Sequence, residues 1–514
     1  MINLGLKRIT QLLNPLFSAY PTLPWKAVHI AGTNGKGSVA ALVTTFLGHL
    51  GYRVGRFTSP HLIDRWDCIT LNKRVVERDL YLQVEQHFRD RSARENIDAS
   101  EFEILTATAF QIFTDAKVDV AVIECGLGGR LDATNVLRPE DVVASVLTKV
   151  GLDHTDFLGD SLEAVTREKV GIFKPGVPVV LDQSNLRNVL DVAESRLKDL
   201  GWGENGTEGV YISVEERRRE FGEVIFRLGL AQHQGQNLYV AFSCLRLADA
   251  RLSELYAGRQ DLPTEQTPAP LIFPRDYLVS TDRRRSEAVK QSLEILVPQA
   301  QSSLPGRLQW LVLPPELVPQ NLDQMTGHLQ GDTYKDDIVF AQVLVDGAHN
   351  PQSAAALAAY VRLQWRRINP PPHLPVTWLL SVKNDKKADD ILMQLLRPND
   401  NVVTCSFGPV DGMPWVKSMG AIDLAKLAMK YTNGIVEALT DECIEGILGH
   451  DKVTPYEKMM ITIRQAVSIA SRESGGSNLD LKLCITGSLY LVGDVLRCVR
   501  DTCGSEHGLF RPKP

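Results

Sequence analysis

The sequence predicts an α/β protein of two domains, and three observations lead to this prediction. With 514 residues, the chain exceeds the length at which single hydrophobic cores stop growing. In both halves, short apolar segments alternate with segments of helical period, which is typical of strand–helix units around a parallel sheet. A glycine-rich segment between the first such strand and helix predicts a phosphate loop in a doubly wound N-terminal domain.

The first predicted strand and helix enclose the glycine-rich segment GTNGKGS at residues 32–38. Residues 27–30 are short and mostly apolar, like a buried strand, and apolar residues recur at helical spacing over 39–50. Glycines let several backbone N–H groups point at one anion, and the helix that follows presents the positive end of its dipole. Lys36 would add a charge at the outer phosphates, and the Ser38 hydroxyl is a candidate Mg²⁺ ligand.

This segment departs from the strict Walker A pattern. Ile30 stands five residues before Gly35 where that pattern has glycine, and Gly37 separates Lys36 from Ser38. From these residues alone, a simple glycine-rich turn between a strand and a helix therefore remains an alternative.

The remaining elements of the first half follow in the same alternation. Strands are predicted over 52–57, 118–124, 142–148 and 177–181, and helices over 102–114 and 161–172. Residues 203–300 show no clear pattern, and residues 255–287 predict loops or an insertion, because they are rich in Pro, Arg and acidic residues.

The alternation restarts after a predicted linker at residues 302–306. Further strands are predicted over 343–345, 376–382, 402–407 and 481–486, with a helix from about residue 353 and a polar surface loop over 318–337. We therefore assign residues 1–303 to an N-terminal domain and residues 304–514 to a smaller, Rossmann-like C-terminal domain without its own phosphate loop.

Composition narrows the functional classes. The net charge of −6 argues against general nucleic-acid binding, and no apolar run is long enough to cross a bilayer. The eight cysteines are scattered without a CxxC pair, which favours reduced thiols in a cytoplasmic protein over a disulfide framework or a zinc site. Mitochondrial import is the alternative, since the first 63 residues contain no Asp or Glu, although this stretch includes the predicted phosphate loop.

Three candidate Mg²⁺ ligands follow three different strands. Ser38 follows the first strand, Glu124 ends the strand over 118–124, and His154 follows the strand over 142–148. Because parallel strands end at one edge of a sheet, these side chains are expected at the same edge. Histidine is an unusual Mg²⁺ ligand, so a polar loop residue is the alternative for His154, and Lys169 by itself indicates only a helix-surface cation.

The chain resembles the folylpolyglutamate synthase and dihydrofolate synthase family of the Mur ligase superfamily. The resembling segments run in family order over nearly the whole chain: GTNGKGS at 32–38, FTSPHL at 57–62, FEILTATAF at 102–110, ECGLGGRLDATN at 124–135, GLDHTDFLG at 151–159, EKVGIFKPG at 168–176, HQGQN at 233–237, PGR at 305–307, DGAHNP at 346–351 and TGSLYLVGDV at 486–495. The resemblance implies a Mur-ligase-type, ATP-binding N-terminal domain and a C-terminal domain that contributes nucleotide and glutamate contacts.

The resemblance also implies roles for individual residues. The ATP phosphates would be bound by the loop residues Gly32, Thr33, Asn34, Gly35, Lys36, Gly37 and Ser38. Mg²⁺ would be bound by Ser38, Glu124, His154 and a carbamylated Lys169, and the last three, with Lys36, would be catalytic. Further nucleotide contacts would come from Asn237, Arg307 and Asp346, and substrate contacts from Ser59, Pro60, His61, Phe102, Glu103, His349 and Ser488.

The implied activity is the ATP- and Mg²⁺-dependent ligation of L-glutamate to 7,8-dihydropteroate through an acyl phosphate, in folate biosynthesis and one-carbon metabolism. The expected enzyme is a monomer with small-molecule substrates. One segment departs from the common family pattern, because IDRWDCI at 63–69 carries Cys68 where arginine is usual. This variant resembles the fungal dihydrofolate synthases and favours that activity.

Two alternatives stay open at this point. The first is a folylpolyglutamate synthase that adds glutamate to tetrahydrofolate, alone or in a bifunctional enzyme. The second is a non-catalytic, nucleotide-binding regulatory protein. The presence of Lys36, Glu124, His154 and Lys169 together counts against the second alternative.

Overall fold

The structure is a computed structural model that describes residues 5–202, 214–257, 283–319, 341–366, 375–450, 452–473 and 481–504. The chain divides into two compact units, Met1–Leu304 and Pro305–Pro514. Each unit contains its own sheet flanked by helices, so the predicted α/β class is confirmed. In the part of the chain that is described, no helix combines the length and apolar character needed to cross a membrane.

The first unit contains every strand and helix predicted for it, together with further elements. Its elements are α1 (Lys7–Leu12), α2 (Asn14–Ala19), β1 (Lys26–Ala31), α3 (Lys36–His49), β2 (Val54–Phe57), β3 (Ile69–Leu71), β4 (Arg74–Val75), α4 (Arg78–Arg94), α5 (Glu101–Asp115), β5 (Val120–Glu124), β6 (Val142–Leu147), α6 (Thr155–Leu158), α7 (Leu162–Lys169), β7 (Val179–Leu181), α8 (Arg187–Asp199), α9 (Val214–Arg227), α10 (Gln232–Leu255) and α11 (Arg283–Ser302).

The first sheet has the strand order β4-β3-β2-β5-β1-β6-β7. The strands from β2 to β7 in this order are parallel, whereas β3 and β4 form an antiparallel hairpin at one edge. The central strand β1 pairs with β5 through Ile30 and Glu124, and with β6 through Ala31 and Leu147. The segments that follow β1, β5 and β6 therefore leave the sheet at the same edge.

Side chains that alternate along β1 pack into cores on opposite faces of the sheet. Val28 and Ile30 belong to a core that includes residues of α3, α10 and α11, whereas Ala27 belongs to a core that includes residues of α5. Every residue of β1 except Lys26 is buried, as expected for a central parallel strand.

Several elements of this unit were not predicted from the sequence, among them α1, α2, α4 and α8. Helices α9, α10 and α11 occupy much of 203–300. The loop predicted over 255–287 agrees with the end of α10 at Leu255 and with the turn at 256–257, but it is wrong from Arg283 onwards, where α11 begins. Residues 258–282 lie outside the described residues. The centre of α10, residues 237–245, is buried on all sides, so it shows no amphipathic period. The hairpin strands β3 and β4 are too short to produce a clear alternation.

The second unit contains a six-stranded sheet of order β12-β11-β10-β13-β9-β8, in which only β8 is antiparallel to its neighbour among the described strands. Its elements are β8 (Gln309–Leu313), β9 (Ala341–Val345), α12 (Pro351–Trp365), β10 (Thr377–Leu380), α13 (Ala388–Leu395), β11 (Asn401–Thr404), α14 (Ala421–Ala428), β12 (Val436–Ala438), α15 (Asp441–Leu448), α16 (Pro455–Glu473), β13 (Leu483–Thr486) and α17 (Leu489–Cys503). The surface loop predicted over 318–337 falls largely on residues 320–337, which are not described.

Candidate active site

The loop at residues 32–38 joins β1 to α3 and is fixed by the segment that follows β6. The backbone N–H groups of Thr33 and Asn34 both donate to the Lys149 carbonyl, at 2.8 and 3.0 Å. The Thr33 hydroxyl lies 3.0 Å from both the N–H and the carbonyl oxygen of Gly151. The loop is therefore held in one shape at the N-terminus of α3, where the first N–H groups of a helix lack intrahelical acceptors.

The glycines of this loop are required by close packing. A Cβ atom added to Gly32 would lie 1.9 Å from the Thr148 Oγ1 atom, and one added to Gly35 would lie 2.5 Å from the Asn237 Oδ1 atom. Gly35 also has a φ of +90°, which disfavours any residue with a Cβ. The loop is thus a tightly packed turn, and the side chain of Asn237 on α10 lies against it.

Lys36 and Glu124 form an ion pair beside the loop. The Lys36 Nζ atom donates to the Thr33 carbonyl at 3.2 Å and lies 3.6 Å from the Glu124 Oε1 atom. Glu124 is buried at the carboxyl end of β5, and its Oε2 atom would lie 3.3 Å from a Cβ on Gly37. A cation and a carboxylate therefore lie at the start of α3, as expected for a site that binds phosphate together with a metal ion.

Lys169 lies inside the protein rather than on a helix surface. It ends α7, it is 5% exposed, and its Nζ atom donates to the carbonyl of Gly32 at 2.8 Å. Burial lowers the pKa of Lys169 to about 7, and the nearby charge of Lys36 acts in the same direction. The interpretation of this residue as a surface cation is wrong, because its side chain is buried and donates to a backbone carbonyl.

His154 and Asp153 follow β6 at the same edge of the sheet. His154 precedes α6 with a φ of +53°, and its side chain is 40% exposed. The Asp153 side chain is only 10% exposed and its charge acts on Lys169, which makes it a further acidic residue of the site. Sequence reasoning missed Asp153, although it directly precedes His154 in the segment GLDHTDFLG.

The Mg²⁺ ligands predicted from the sequence all lie at one edge of the first sheet. Ser38, Glu124 and His154 come from the segments after β1, β5 and β6. Among the described residues, no three His, Cys, Asp or Glu side chains gather into a metal-binding group. A small number of protein donors is compatible with a Mg²⁺ site, because this ion keeps several waters and is commonly bound through one or two carboxylates plus substrate phosphates.

Phe102, one of the predicted substrate residues, forms an aromatic pair with the last residue of β2. Phe102 stacks on Phe57 with a centroid distance of 6.0 Å, and a Cβ on Gly126 would lie 2.4 Å from the Phe102 ring. The peptide bond between Ser59 and Pro60 is cis. His61 is 8% exposed in the loop that follows.

Two buried or half-buried carboxylates shape this region. Asp67 accepts hydrogen bonds from the backbone N–H groups of Leu62, Ile63 and Asp64, which fixes the loop after Pro60. Desolvation raises the pKa of Asp67 to about 6 despite these hydrogen bonds. Glu103 accepts from the Ser100 N–H and from Arg8 Nε, so its carboxylate has structural partners at the start of α5.

The predicted site residues of the second unit also lie together. Asp346, after β9, accepts from the N–H groups of Leu308 and Ala348. Desolvation raises its pKa, and the Arg307 guanidinium acts in the opposite direction. Ser488 directly precedes α17 as its N-cap after the neighbouring strand β13, and His349 Nδ1 lies 2.8 Å from the Gly347 carbonyl oxygen.

Known proteins share both the sequence and the fold of this chain. The sequence model of the family described as "Dihydrofolate synthetase, C-terminal domain" matches residues 333–498. A "Probable dihydrofolate synthetase" of Schizosaccharomyces pombe is 32% identical over 97% of this chain and 99% of its own length. The dihydrofolate synthetase of Saccharomyces cerevisiae is 30% identical over 96% of this chain and 98% of its own. The chain belongs to the dihydrofolate synthetase family.

Solved structures of the wider family share the two-domain fold. Folylpolyglutamate synthase of Mycobacterium tuberculosis, complexed with ADP and AMPPCP, has a TM-score of 0.62 at 24% identity and matches 99% of this chain and 96% of its own. Escherichia coli FolC in complex with DHPP and ADP has a TM-score of 0.60 at 20% identity, over 98% and 95%. The enzyme of Yersinia pestis with Mn, AMPPNP and L-glutamate bound has a TM-score of 0.58 at 22% identity, over 96% and 94%.

Family membership confirms the resemblance that was inferred from the motifs. It also confirms the predicted enzyme class, an ATP-dependent ligase of the dihydrofolate synthase type. The individual residue roles, the carbamate on Lys169 and the monomeric state stay predictions for this chain.

Proposed function

We propose that this chain joins L-glutamate to 7,8-dihydropteroate at the expense of ATP, which yields dihydrofolate, ADP and phosphate. The observation that carries the proposal is the similarity, over almost the whole of both chains, to two fungal dihydrofolate synthetases. The packed phosphate loop, with Lys36, Glu124 and buried Lys169 around it, supplies the expected chemistry.

The reaction proceeds in two steps. The carboxylate of dihydropteroate attacks the γ-phosphorus of ATP, so an acyl phosphate forms and ADP leaves. The amine of L-glutamate then attacks the acyl carbon, so an amide forms, phosphate leaves and the amine loses a proton. A free acyl phosphate hydrolyses, and productive ligation therefore requires that water be excluded from it.

The first unit supplies the groups that stabilise phosphoryl transfer. The N–H groups at the start of α3 and the Lys36 ammonium bind the phosphates and offset the charge on the transferring oxygens. Ser38, Glu124, His154 and a carbamate on Lys169 would hold Mg²⁺, which supplies further charge neutralisation when bound. Lys169 suits this modification because its neutral amine is the form that adds CO₂, and the product is an anionic oxygen donor.

The remaining contacts divide between the two units. Asn237, which touches the loop at Gly35, is proposed to contact the nucleotide together with the second-unit residues Arg307 and Asp346. The region around the stacked pair of Phe57 and Phe102 is proposed to bind the pterin, through the side chains of Ser59, Pro60, His61, Phe102 and Glu103. His349 and Ser488 are proposed to bind glutamate. Residues 1–303 would thus form the ATP and pterin domain, and residues 304–514 the glutamate domain, of a monomeric cytoplasmic enzyme, with mitochondria as the alternative location.

The decisive experiment supplies ATP, Mg²⁺ and L-glutamate with either 7,8-dihydropteroate or tetrahydrofolate as acceptor, and identifies products by mass. We expect a mass gain of one glutamate with dihydropteroate only. A product from tetrahydrofolate would indicate polyglutamation, alone or in a bifunctional enzyme. No product with either acceptor would contradict the proposal and favour a nucleotide-binding regulatory protein.

A further inference from the structure

Arg56 is a nearly completely buried cation close to the proposed active site. It is 2% exposed and lies on β2 opposite Val122 of β5, two residues before Glu124. Alternation along the strands puts Arg56 on the same face as Val54 and Val122, which belong to the core beneath α3. A buried guanidinium requires partners, because an unpaired charge in a core is strongly destabilising.

The partners of Arg56 belong to the last residues of the first unit. Its Nη1 atom donates to the Ser303 hydroxyl at 2.8 Å, and its Nη2 atom donates to the Ser303 carbonyl at 2.7 Å. Its Nε atom is buried and has no hydrogen-bond partner among the described residues. Desolvation lowers the pKa of Arg56 to about 10, and the charges of Asp67 and Glu124 oppose this shift, so the side chain remains a cation.

The contact continues from Ser303 to the phosphate loop. Leu304 follows Ser303, and its Cδ2 atom would lie 3.2 Å from a Cβ added to Gly37. The Glu124 Oε2 atom would lie 3.3 Å from the same point. Leu304 therefore covers the first turn of α3 with an apolar side chain next to the carboxylate of Glu124. This chain of contacts (Arg56, Ser303, Leu304 and Gly37) is called the latch below.

We propose that Arg56 is a positioning residue for ligation, which holds Ser303 so that Leu304 shields the Gly37 and Glu124 side of the phosphate loop from water. This inference rests on the proposed function, because shielding matters when an acyl phosphate must react with an amine rather than with water. A bidentate fork suits this task, since two hydrogen bonds fix both the position and the direction of the Ser303 segment.

The test measures ADP formed per dihydrofolate formed in the full-length protein with ATP, Mg²⁺, L-glutamate and dihydropteroate. The variants are Arg56→Met, Arg56→Lys and Leu304→Ala. Arg53→Met is the matched control, because Arg53 also makes two side-chain hydrogen bonds to one residue, in this case the carboxylate of Asp119, next to the other end of β2. Hydrogen–deuterium exchange at the Ser303 and Leu304 amides, which donate to the carbonyls of Gln299 and Gln301, monitors the latch itself.

We expect about one ADP per product in the wild type and in Arg53→Met. In Arg56→Met and Leu304→Ala we expect a ratio at least twofold higher and a lower kcat for ligation, with little change in the KM for ATP. Exchange at both amides should be faster in Arg56→Met. Arg56→Lys keeps the positive charge but cannot form both hydrogen bonds to Ser303 in the same geometry. Its ratio of ADP to dihydrofolate should therefore lie between those of the wild type and Arg56→Met.

Specific results would overturn the inference. A ratio of one in Leu304→Ala, which alters a half-buried side chain and should fold, would refute the shielding role even if Arg56→Met does not fold. A ratio of one in Arg56→Lys would show that the positive charge at this position is sufficient and that the two hydrogen bonds to Ser303 are not required. A wild-type enzyme that makes no product would refute the proposed function itself, whereas normal wild-type ligation with unchanged ratios in all variants would refute only the latch.

Discussion

The burial of Lys169 depends on residues that are distant in the sequence, so its neighbours in the chain do not indicate it. At the end of a short helix, next to Glu168, this lysine has the local sequence of an exposed cation. Its burial arises from the loop over 126–135, where Arg130 N–H donates to the Glu168 carbonyl and a Cβ on Gly129 would lie 2.6 Å from the Lys169 carbonyl oxygen. Sequence periodicity cannot predict this contact, because the residues that meet, Arg130 and Glu168, are more than thirty positions apart in the chain.

Replacement of Lys169 by alanine should abolish ligation while the protein stays folded. If the lysine acts as a carbamate, the variant lacks an anionic metal donor, and a loss of about 10²-fold or more in kcat is expected. Formate or acetate should restore part of the activity, because a small carboxylate can enter the space and supply the missing oxygens. Product formation is measured with and without added carboxylate, and near-normal turnover of the variant would contradict the carbamate proposal.

The lowered pKa of Lys169 also predicts how stability depends on pH. The folded protein releases this proton near pH 7, whereas the unfolded chain retains it until about pH 10.5. Between these values the unfolded state binds more protons, so this residue makes the free energy of unfolding rise with pH. In CO₂-free buffer, the stability advantage of Lys169→Met over the wild type should therefore shrink from pH 7 to pH 9.5. A difference in melting temperature between the two proteins that stays constant from pH 7 to pH 9.5 would contradict this prediction.

At the scale of elements, the sequence predicted the central strands well, because a buried parallel strand is a short, continuous run of apolar residues. Strands β1, β5, β6 and β13 are short apolar runs bounded by polar turns, and all were predicted within about two residues of their bounds. Helices α9, α10 and α11 were missed, and in α10 the cause is all-round burial, which removes the amphipathic signal. The position of the loop over 32–38 between a strand and a helix was predicted because its glycines and the flanking apolar residues are local features, whereas its contact with Asn237 depends on the packing of α10.

This contact predicts different outcomes for alanine at two glycines with positive φ. Gly35→Ala adds a Cβ at 2.5 Å from Asn237 Oδ1 and forces a left-handed alanine, while Gly176→Ala meets nothing within 4 Å and introduces only the backbone strain. Each should lose about 1–2 kcal/mol of stability from strain. Only Gly35→Ala should also weaken ADP binding, by about tenfold or more, since the loop must shift. Calorimetric titration and denaturant unfolding measure both effects, and equal nucleotide affinities in the two variants would refute a preshaped loop.

At the scale of the whole molecule, the proposed active site draws on two separate units of the fold. Ser38, Glu124 and Lys169 belong to Met1–Leu304, and the residues proposed for glutamate and for part of the nucleotide, Arg307, Asp346, His349 and Ser488, belong to Pro305–Pro514. Each unit has its own sheet, and the first has extensive cores on both faces of that sheet. Because the residues with proposed roles lie in two units with separate sheets, no single local motif includes them all.

This division predicts the behaviour of a fragment that contains residues 1–304. Because its cores and its phosphate loop are complete, the fragment should unfold cooperatively and bind ADP, more weakly than the whole chain since Arg307 and Asp346 are missing. It should form no dihydrofolate, because the proposed glutamate residues are absent. Circular dichroism, ADP titration and the ligation assay measure the three properties, with the intact chain as control. Ligation by the fragment alone would show that the second unit is dispensable for glutamate binding, and failure to bind ADP in a folded fragment would show that the second unit is essential for nucleotide affinity.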